Sequence, residues 1–228
     1  MRFDVSMLPD VGHLLVGIIG GTGDQGRGLA MRLASAGQRI VIGSRTSERA
    51  TAAAREVAEV TGGAVEGHTN FDVASRCDVV IVAVPYEGHA ETLAALVQPL
   101  AGKIVVDCVN PLGFDKKGPH ILRVPEGSAA EQAASILPDS RVCAAFHHVS
   151  AELLTDPSVE QMDLDVLVLG DDREAVRVVQ ALAFRIPGMR GVHAGRLRNA
   201  AQVEALTANL ISINKRYGVH AGIRVTDL

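Results

Sequence analysis

Tryptophan is absent from this 228-residue chain, and with two tyrosines and five phenylalanines aromatic residues make up only 3% of it. Its apolar character, 47% hydrophobic residues with a mean hydropathy of +0.20, therefore comes from alanine, valine and their aliphatic kin. An excess of positive charge is missing too. Twenty-two Lys and Arg stand against 26 Asp and Glu, a formal charge of −4, which gives no electrostatic case for nucleic acid or an anionic membrane surface. The three cysteines, Cys77, Cys108 and Cys143, make neither a C-x-x-C pair nor an even disulfide set, so a reducing compartment is expected, and the cytoplasm is its default. No apolar run reaches the roughly 18 residues that cross a bilayer, and residues 1–13 lack the basic start and apolar core of a signal peptide. That segment reads as a short extension ahead of the fold. The eight histidines show no H-x-x-x-H or comparable spacing, so no metal is expected. Tyr-x-x-x-Lys is missing as well: Tyr86 is followed by EGHA and Tyr217 by GVHA, which argues against the short-chain dehydrogenase mechanism.

What is present is a rhythm. Short β-branched runs (HLLVGII, RIVIG, AVEGHT, DVVIVAV, KIVVDCV, RVCAAF, DVLVLG) alternate with alanine-rich amphipathic stretches at 25–36, 46–60, 88–99 and 171–185. Strands this uniformly apolar suit a mostly parallel sheet with helices on both faces. The expected fold is α/β, a doubly wound Rossmann sheet over 14–195, followed by a small C-terminal helical segment at 196–228. Residues 108–127, dense in Pro and Gly, break the pattern and read as a binding loop. Residues 197–217 read as one long helix whose stripe of Val203, Leu206, Leu210 and Ile213 serves either core packing or a subunit interface, with a homodimer as the expectation.

The first strand runs into GGTGDQGRG, where Gly21, Gly23 and Gly26 satisfy G-x-G-x-x-G within one βαβ unit. In that motif the first glycine makes a tight turn, the second lets the backbone approach a pyrophosphate and the third lets helix pack on strand. Thr22 adds a hydroxyl, and the amides of Asp24 and Gln25 lie at the helix start, where unpaired N–H groups attract phosphate. At the end of the second strand, a carboxylate would bond the ribose hydroxyls of NAD. This chain has Ser44 there, then Arg45, with Arg49 four residues on and on the same helical face. A hydroxyl and two planar cations suit the 2′-phosphate of NADP.

With GGTGDQGRGLAMRLASAGQRIVIGSRTSERA, and with IVAVPYEGHA, SAAEQAA, AAFHHVSAELL, VLVLGDDREA and AGRLRNAAQVEAL following in order, the chain resembles the NADPH-dependent reductases of coenzyme F420, a 5-deazaflavin, over roughly residues 14–225. The resemblance implies reversible hydride transfer between NADP(H) and coenzyme F420, with the two rings held face to face and no obligatory catalytic side chain. It places the pyrophosphate on Thr22, Gly23, Asp24 and Gln25, the 2′-phosphate on Ser44, Arg45 and Arg49, and the cofactor beside Val84, Pro85 and the aromatic Tyr86. The deazaflavin pocket would then involve Asn110, Pro111, Leu112, His147 and Ala151, with the stretch near Ala221. Lys116, Lys117 and Arg123 are candidates for the anionic tail of that coenzyme or else a solvated loop face. Two other readings stay open on the residues alone: another NADPH reductase acting on a flavin, a metal or an imine, and a non-catalytic NADP sensor.

Overall fold

In the computed structural model, which describes residues 5–228, the described residues form ten strands and nine helices. In chain order they are β1 (Leu15–Ile19), α1 (Asp24–Ser35), β2 (Arg39–Ser44), α2 (Ser47–Thr61), β3 (Val65–Thr69), α3 (Asn70–Arg76), β4 (Val79–Val82), α4 (His89–Ala94), α5 (Val97–Leu100) and β5 (Ile104–Asp107). Then come β6 (Leu112–Asp115), β7 (Gly118–Ile121), α6 (Ala129–Ile136), β8 (Arg141–Ala144), α7 (Ala151–Thr155), β9 (Leu164–Gly170), α8 (Arg173–Arg185), β10 (Met189–Gly195) and α9 (Ala200–Tyr217).

Eight of the strands make one sheet in the order β10-β9-β8-β5-β4-β1-β2-β3. All its pairs are parallel except β8 with β9, so β9 and β10 run against the rest. Because β1 leads outward through β2 to β3 while β4 returns to its other side, the strand order reverses between β1 and β4, and a doubly wound sheet opens its ligand crevice at the carboxyl ends there.

Side-chain alternation divides the core in two. Val16, Ile18, Ile40, Ile42, Val79 and Ile81 pack under α1, α2 and α8. Ile19, Val41, Val80 and Val82 pack under α3, α4, α6 and the start of α9. The central strands β1, β2 and β4 thus bury both of their faces, the period-2 pattern that a doubly covered sheet requires. Three elements depart from the sequence pattern. The stretch 88–99 is two short helices, since Pro99 lacks the N–H that a continuous helix would bond to Ala95. Residues 108–127 carry the hairpin β6–β7, whose turn is closed by the Lys117 amide on Asp115 Oδ1 at 2.7 Å and by Gly118 with φ +113. The glycine-rich MRGVHAG is strand β10, made so by pairing with β9 rather than by propensity.

The first four residues of the N-terminal extension lie outside the described residues. The remainder is fastened to the fold: Val11 is buried, the Gln38 amide donates to the Val11 and Leu14 carbonyls, and Arg177 donates to the Met7 carbonyl. Leu197–Asn199 forms a 3-10 turn, and α9 follows. Along α9, Val203 and Leu210 are buried, whereas Ile213 and Tyr217 are exposed. Its first half is therefore core.

Candidate active site

Three cavities adjoin at the carboxyl end of the parallel strands. The first, about 360 Å3, is lined by Thr22, Gly23, Ser44, Arg45, Arg49 and Val84, among others. Here the sequence-derived residues converge. The sharpest turn is made one residue earlier than the motif suggests, by Gly20 with φ +73, while Gly21 lies with its Cα so close to the Ile18 carbonyl that a Cβ would sit 2.9 Å from it. Gly26 fulfils its packing role, since a Cβ there would meet the Gly21 Cα at 2.7 Å. Gly23 differs from both: the nearest atom to a Cβ would be 3.6 Å away, so its smallness serves the cavity and not the fold. Gly23 is the N-cap of α1, and no side chain caps that end. The first N–H groups of α1 are left for an anion, as the positive end of the helix favours.

Ser44 is buried at the end of β2, and Arg45 and Arg49 are exposed around it. Among the described residues neither guanidinium is ion-paired. Asn70, which opens α3, completes this cavity and was not anticipated; its Oδ1 accepts from the Gly20 amide at 3.5 Å. Its signal was position alone, directly after the third strand.

The second cavity, about 310 Å3, is bounded by Gly23, Asp24, Gln25, Ala83, Val84, Pro85, Cys108, Val109 and Asn110. It shares Gly23, Val84 and Pro85 with the first cavity, and Gln25 and Asn110 with the third. The Cys108 thiol donates to the Val82 carbonyl at 3.0 Å, and burial pushes its pKa well above the ordinary range, so this wall is inert.

The third cavity, about 580 Å3, gathers distant pieces of chain: Gln25, Asn110, His147 to Glu152, α9 from Thr207 to Lys215, and Gly218 to Ala221. Phe146, just before it, is fully buried with φ +66, a left-handed conformation that only a fixed surrounding maintains. The Gln25 amide donates to the Phe146 carbonyl at 3.2 Å, and the Asn110 amide and Thr207 hydroxyl donate to the His147 carbonyl at 2.8 and 3.2 Å. These bonds aim the His147 ring. Both of its ring nitrogens are buried without a partner, and burial pushes its pKa down to about 4. His148 is likewise held at about 4, first by burial and then by His147. Both rings are neutral near pH 7.

Ala151 and Ala221 line this cavity. Pro111 instead borders a separate space of about 60 Å3 against α9, and Leu112 starts β6 without lining either. Tyr86 lies outside all three cavities, its ring stacked on His89 at 6.4 Å between centroids. Lys116 and Lys117 sit at the tip of the β6–β7 hairpin, and with Arg123 they line none of the three. Thr207, Asn214 and His220 were missed by the sequence reading, because they reach the cavity only through the placement of α9 and the tail.

That tail is tied to the sheet by one buried carboxylate. Asp165 on β9 accepts two bonds from Arg190, at 2.6 and 2.7 Å, one from Arg224 at 2.9 Å and one from the Val225 amide at 2.6 Å. Burial works to raise its pKa, and these donors outweigh burial and hold it below the usual carboxylate range.

The donor sets fit two different groups, an uncapped helix start with free arginines at one end and an unpartnered neutral imidazole at the other. A family model described as NADP oxidoreductase, coenzyme F420-dependent, matches residues 15–111. The F420-dependent NADP reductase of Methanothermobacter thermautotrophicus is 42% identical over 221 residues, which cover 93% of this chain and 95% of that one. The chain belongs to the F420-dependent NADP reductase family. Its family likeness extends to the reductase of Methanocaldococcus jannaschii, 40% identical over 93% of this chain and 98% of that one. A crystal structure assigned as a member of the same family, from Arthrobacter sp. FB24, superposes with a TM-score of 0.77 at 27% identity, covering 93% of this chain and 99% of that one. Among the described residues no helix is long and apolar enough to cross a membrane.

Proposed function

We propose that this chain transfers a hydride reversibly between NADP(H) and coenzyme F420, with the nucleotide in the first cavity, the deazaflavin in the third and the two reacting rings meeting at the second. Its one supporting observation is that the middle cavity shares walls with both neighbours. Hydride leaves the dihydronicotinamide and is accepted by the deazaflavin, so reacting carbons must come within about 3 to 3.5 Å and the protein's task is positioning.

Thr22, Gly23, Asp24 and Gln25 hold the pyrophosphate at the start of α1, while Ser44, Arg45 and Arg49 hold the 2′-phosphate. Val84 and Pro85 back the nicotinamide. Gln25 and Asn110, common to the second and third cavities, set the distance between rings. His147, neutral and unpartnered, hydrogen-bonds the deazaflavin, with Ala151 and Ala221 as small contacts that admit a flat ring. Pro111 and Leu112 support the deazaflavin pocket, and Tyr86 the nucleotide side, without lining either cavity. No side chain is indispensable to the chemical step, and no metal takes part. All three cysteines are free and buried, in keeping with a reducing, cytoplasmic setting. The exposed end of α9, with Ile213 and Tyr217, is the face we assign to a homodimer. Small-molecule cofactors, rather than nucleic acid or membranes, are the partners.

Mixing the purified protein with NADPH and oxidised F420 tests the function directly. Rapid loss of the deazaflavin's visible absorbance is expected; a protein that binds NADPH without that loss would be a sensor or a reductase of another acceptor. His147→Ala should weaken deazaflavin binding yet keep its single-turnover rate within about 10- to 100-fold of the parent. A fall beyond about 10⁴-fold with both cofactors bound would make His147 a chemical participant.

A further inference from the structure

Beneath the joined cavities lies a cluster of buried ionisable groups that the hydride chemistry does not use. His89, the first residue of α4, and Asp107, the last residue of β5, are both fully buried, with His89 Nε2 2.7 Å from Asp107 Oδ2. The other ring nitrogen, Nδ1, is 2.9 Å from Gln132 Oε1 on α6. Gln132 presents its oxygen there because its amide nitrogen donates to the Glu126 carboxylate at 3.1 Å. Both neighbours of the ring are therefore acceptors, and a ring that donates from both nitrogens is an imidazolium. Tyr86 stacks on the ring, 6.4 Å between centroids.

The groups facing this ring are Asp107 from β5, Gln132 from α6 with Glu126 behind it, Glu204 from α9 and Tyr86 before α4. Burial works to lower the His89 pKa; the Asp107 bond and charge, with Gln132 and Glu204, outweigh it and leave the pKa above the ordinary value. Glu204 accepts from the Ala129 and Ala130 amides at the start of α6, yet burial raises its pKa to about 7.

Asp107 reaches the active site through its second oxygen. Oδ1 accepts from the Val109 amide at 3.0 Å, which bends the chain off β5 so that Cys108, Val109 and Asn110 line the middle cavity. Asn110 then donates to the His147 carbonyl. We propose that His89 is a positioning residue for hydride transfer: carried as an imidazolium between Asp107 and Gln132, it holds the Asp107 carboxylate in the turn that brings Asn110 to the wall shared by the two cofactor cavities. This rests on the reading of those cavities given above. Misplacing a reactive pair by about 1 Å costs on the order of 100-fold in rate, so the cluster acts on the chemical step more than on affinity.

Nitrogen-15 NMR of the full-length, histidine-labelled protein, without cofactors, tests the charge state. Both ring nitrogens of His89 should be protonated at pH 7, where an ordinary histidine is mostly neutral, and a neutral ring at that pH overturns the proposal. His89→Gln and Asp107→Asn should each lower the single-turnover rate at saturating NADPH and F420 by about 10- to 100-fold, with NADPH affinity within about 3-fold of the parent. Because the two residues act as one unit, the double variant should lose little more than either alone. Additive losses, a parental rate in a folded variant, or NADPH affinity falling in step with the rate overturn it. Should a variant fail to fold, the NMR result on the parent still decides. A parent that moves no hydride overturns the cavity reading as well, whereas a neutral His89 ring in an active parent overturns only the positioning role.

Discussion

The first and third cavities are built by opposite means. The nucleotide end is drawn mainly from two short stretches, Gly20 to Gly23 and Ser44 to Arg49, closed by Asn70 and Val84, and it is cationic and shaped by backbone. The other end is assembled from Gln25, Asn110, His147, Thr207 and Ala221, far apart in sequence, and it is dominated by buried neutral rings and carbonyls held by side chains. A site built mainly on one βαβ unit depends chiefly on that unit; a site made from five segments needs the whole molecule in register. Damage at the first end should therefore be local and specific to one ligand. Damage at the second should spread into stability.

The largest effect expected is at Gly23. Its φ of −80 suits any residue, and a Cβ there meets nothing closer than 3.6 Å, so Gly23→Val should fold with a melting temperature near the parent's. The branched side chain occupies the space that the pyrophosphate needs, and losing two charged backbone bonds at about 1.5 to 3 kcal/mol each should weaken NADPH by roughly 150- to 10⁴-fold. Titration calorimetry with NADPH checks it. Gly26→Ala is the control, since its Cβ would collide with the Gly21 backbone and should cost stability before binding.

The second end should announce itself in acid. His147 and His148 have pKa values near 4 in the fold against 6.5 unfolded, so between those limits the unfolded chain binds more protons and stability falls as pH falls. Each contributes roughly 3 kcal/mol above pH 6.5 that is gone by about pH 4. Glu204 works in the opposite sense. With its pKa raised to about 7, its contribution is present below the ordinary carboxylate pKa and lost as pH rises through 7, offsetting one histidine. A net loss of roughly 3 kcal/mol from pH 7 to pH 4 follows, read from urea midpoints, and Glu204→Gln should steepen it. A flat profile would mean that water reaches these rings.

The same contrast explains what the sequence disclosed. The glycine loop, Ser44, Arg45 and Arg49 were legible because their spacing is itself the geometry, and the doubly wound sheet was legible because its strands are apolar on both faces. The exact turn at Gly20 was not, since adjacent glycines in GGTG offer two candidates and only φ separates them. Tyr86 was placed beside the cofactor by resemblance, but its ring packs on a buried histidine whose partners, Asp107 and Gln132, come from other elements. Asn110 and Ala221 entered only through the resemblance, and His147 also through its place beyond the carboxyl end of a strand. Nothing in their local sequence shows that a carbonyl of one would be fixed by the amide of another.

Next in size is cofactor choice at the nucleotide end. Arg45→Ala should weaken NADPH by about 10- to 150-fold, the loss of one charged hydrogen bond, and leave NADH almost unchanged. Ser44→Glu should carry preference further toward NADH by restoring a ribose acceptor and repelling the phosphate. Binding titrations with both nucleotides decide this, and equal losses for both would remove the 2′-phosphate from these residues.

The smallest effect, and the one that sharpens the comparison most, is expected at Asp165, which touches no cavity. Its carboxylate accepts from Arg190, Arg224 and the Val225 amide, and its own amide donates to the Ile223 carbonyl at 2.7 Å, so it pins the chain just beyond Ala221. Asp165→Asn keeps the size, removes the charge and sets an amide against two guanidinium groups. The tail should loosen while β9, held on both sides by β8 and β10, remains. Asn214 Oδ1 accepts from the Ala221 amide at 2.6 Å and still anchors the near end, which keeps the loss modest. Deazaflavin affinity should fall by about 3- to 10-fold, or roughly 0.7 to 1.4 kcal/mol, with NADPH affinity unchanged. Fluorescence titration with F420 beside calorimetry with NADPH separates the two. A loss shared equally by both cofactors would mean that Asp165 supports the sheet as a whole rather than one wall of one cavity.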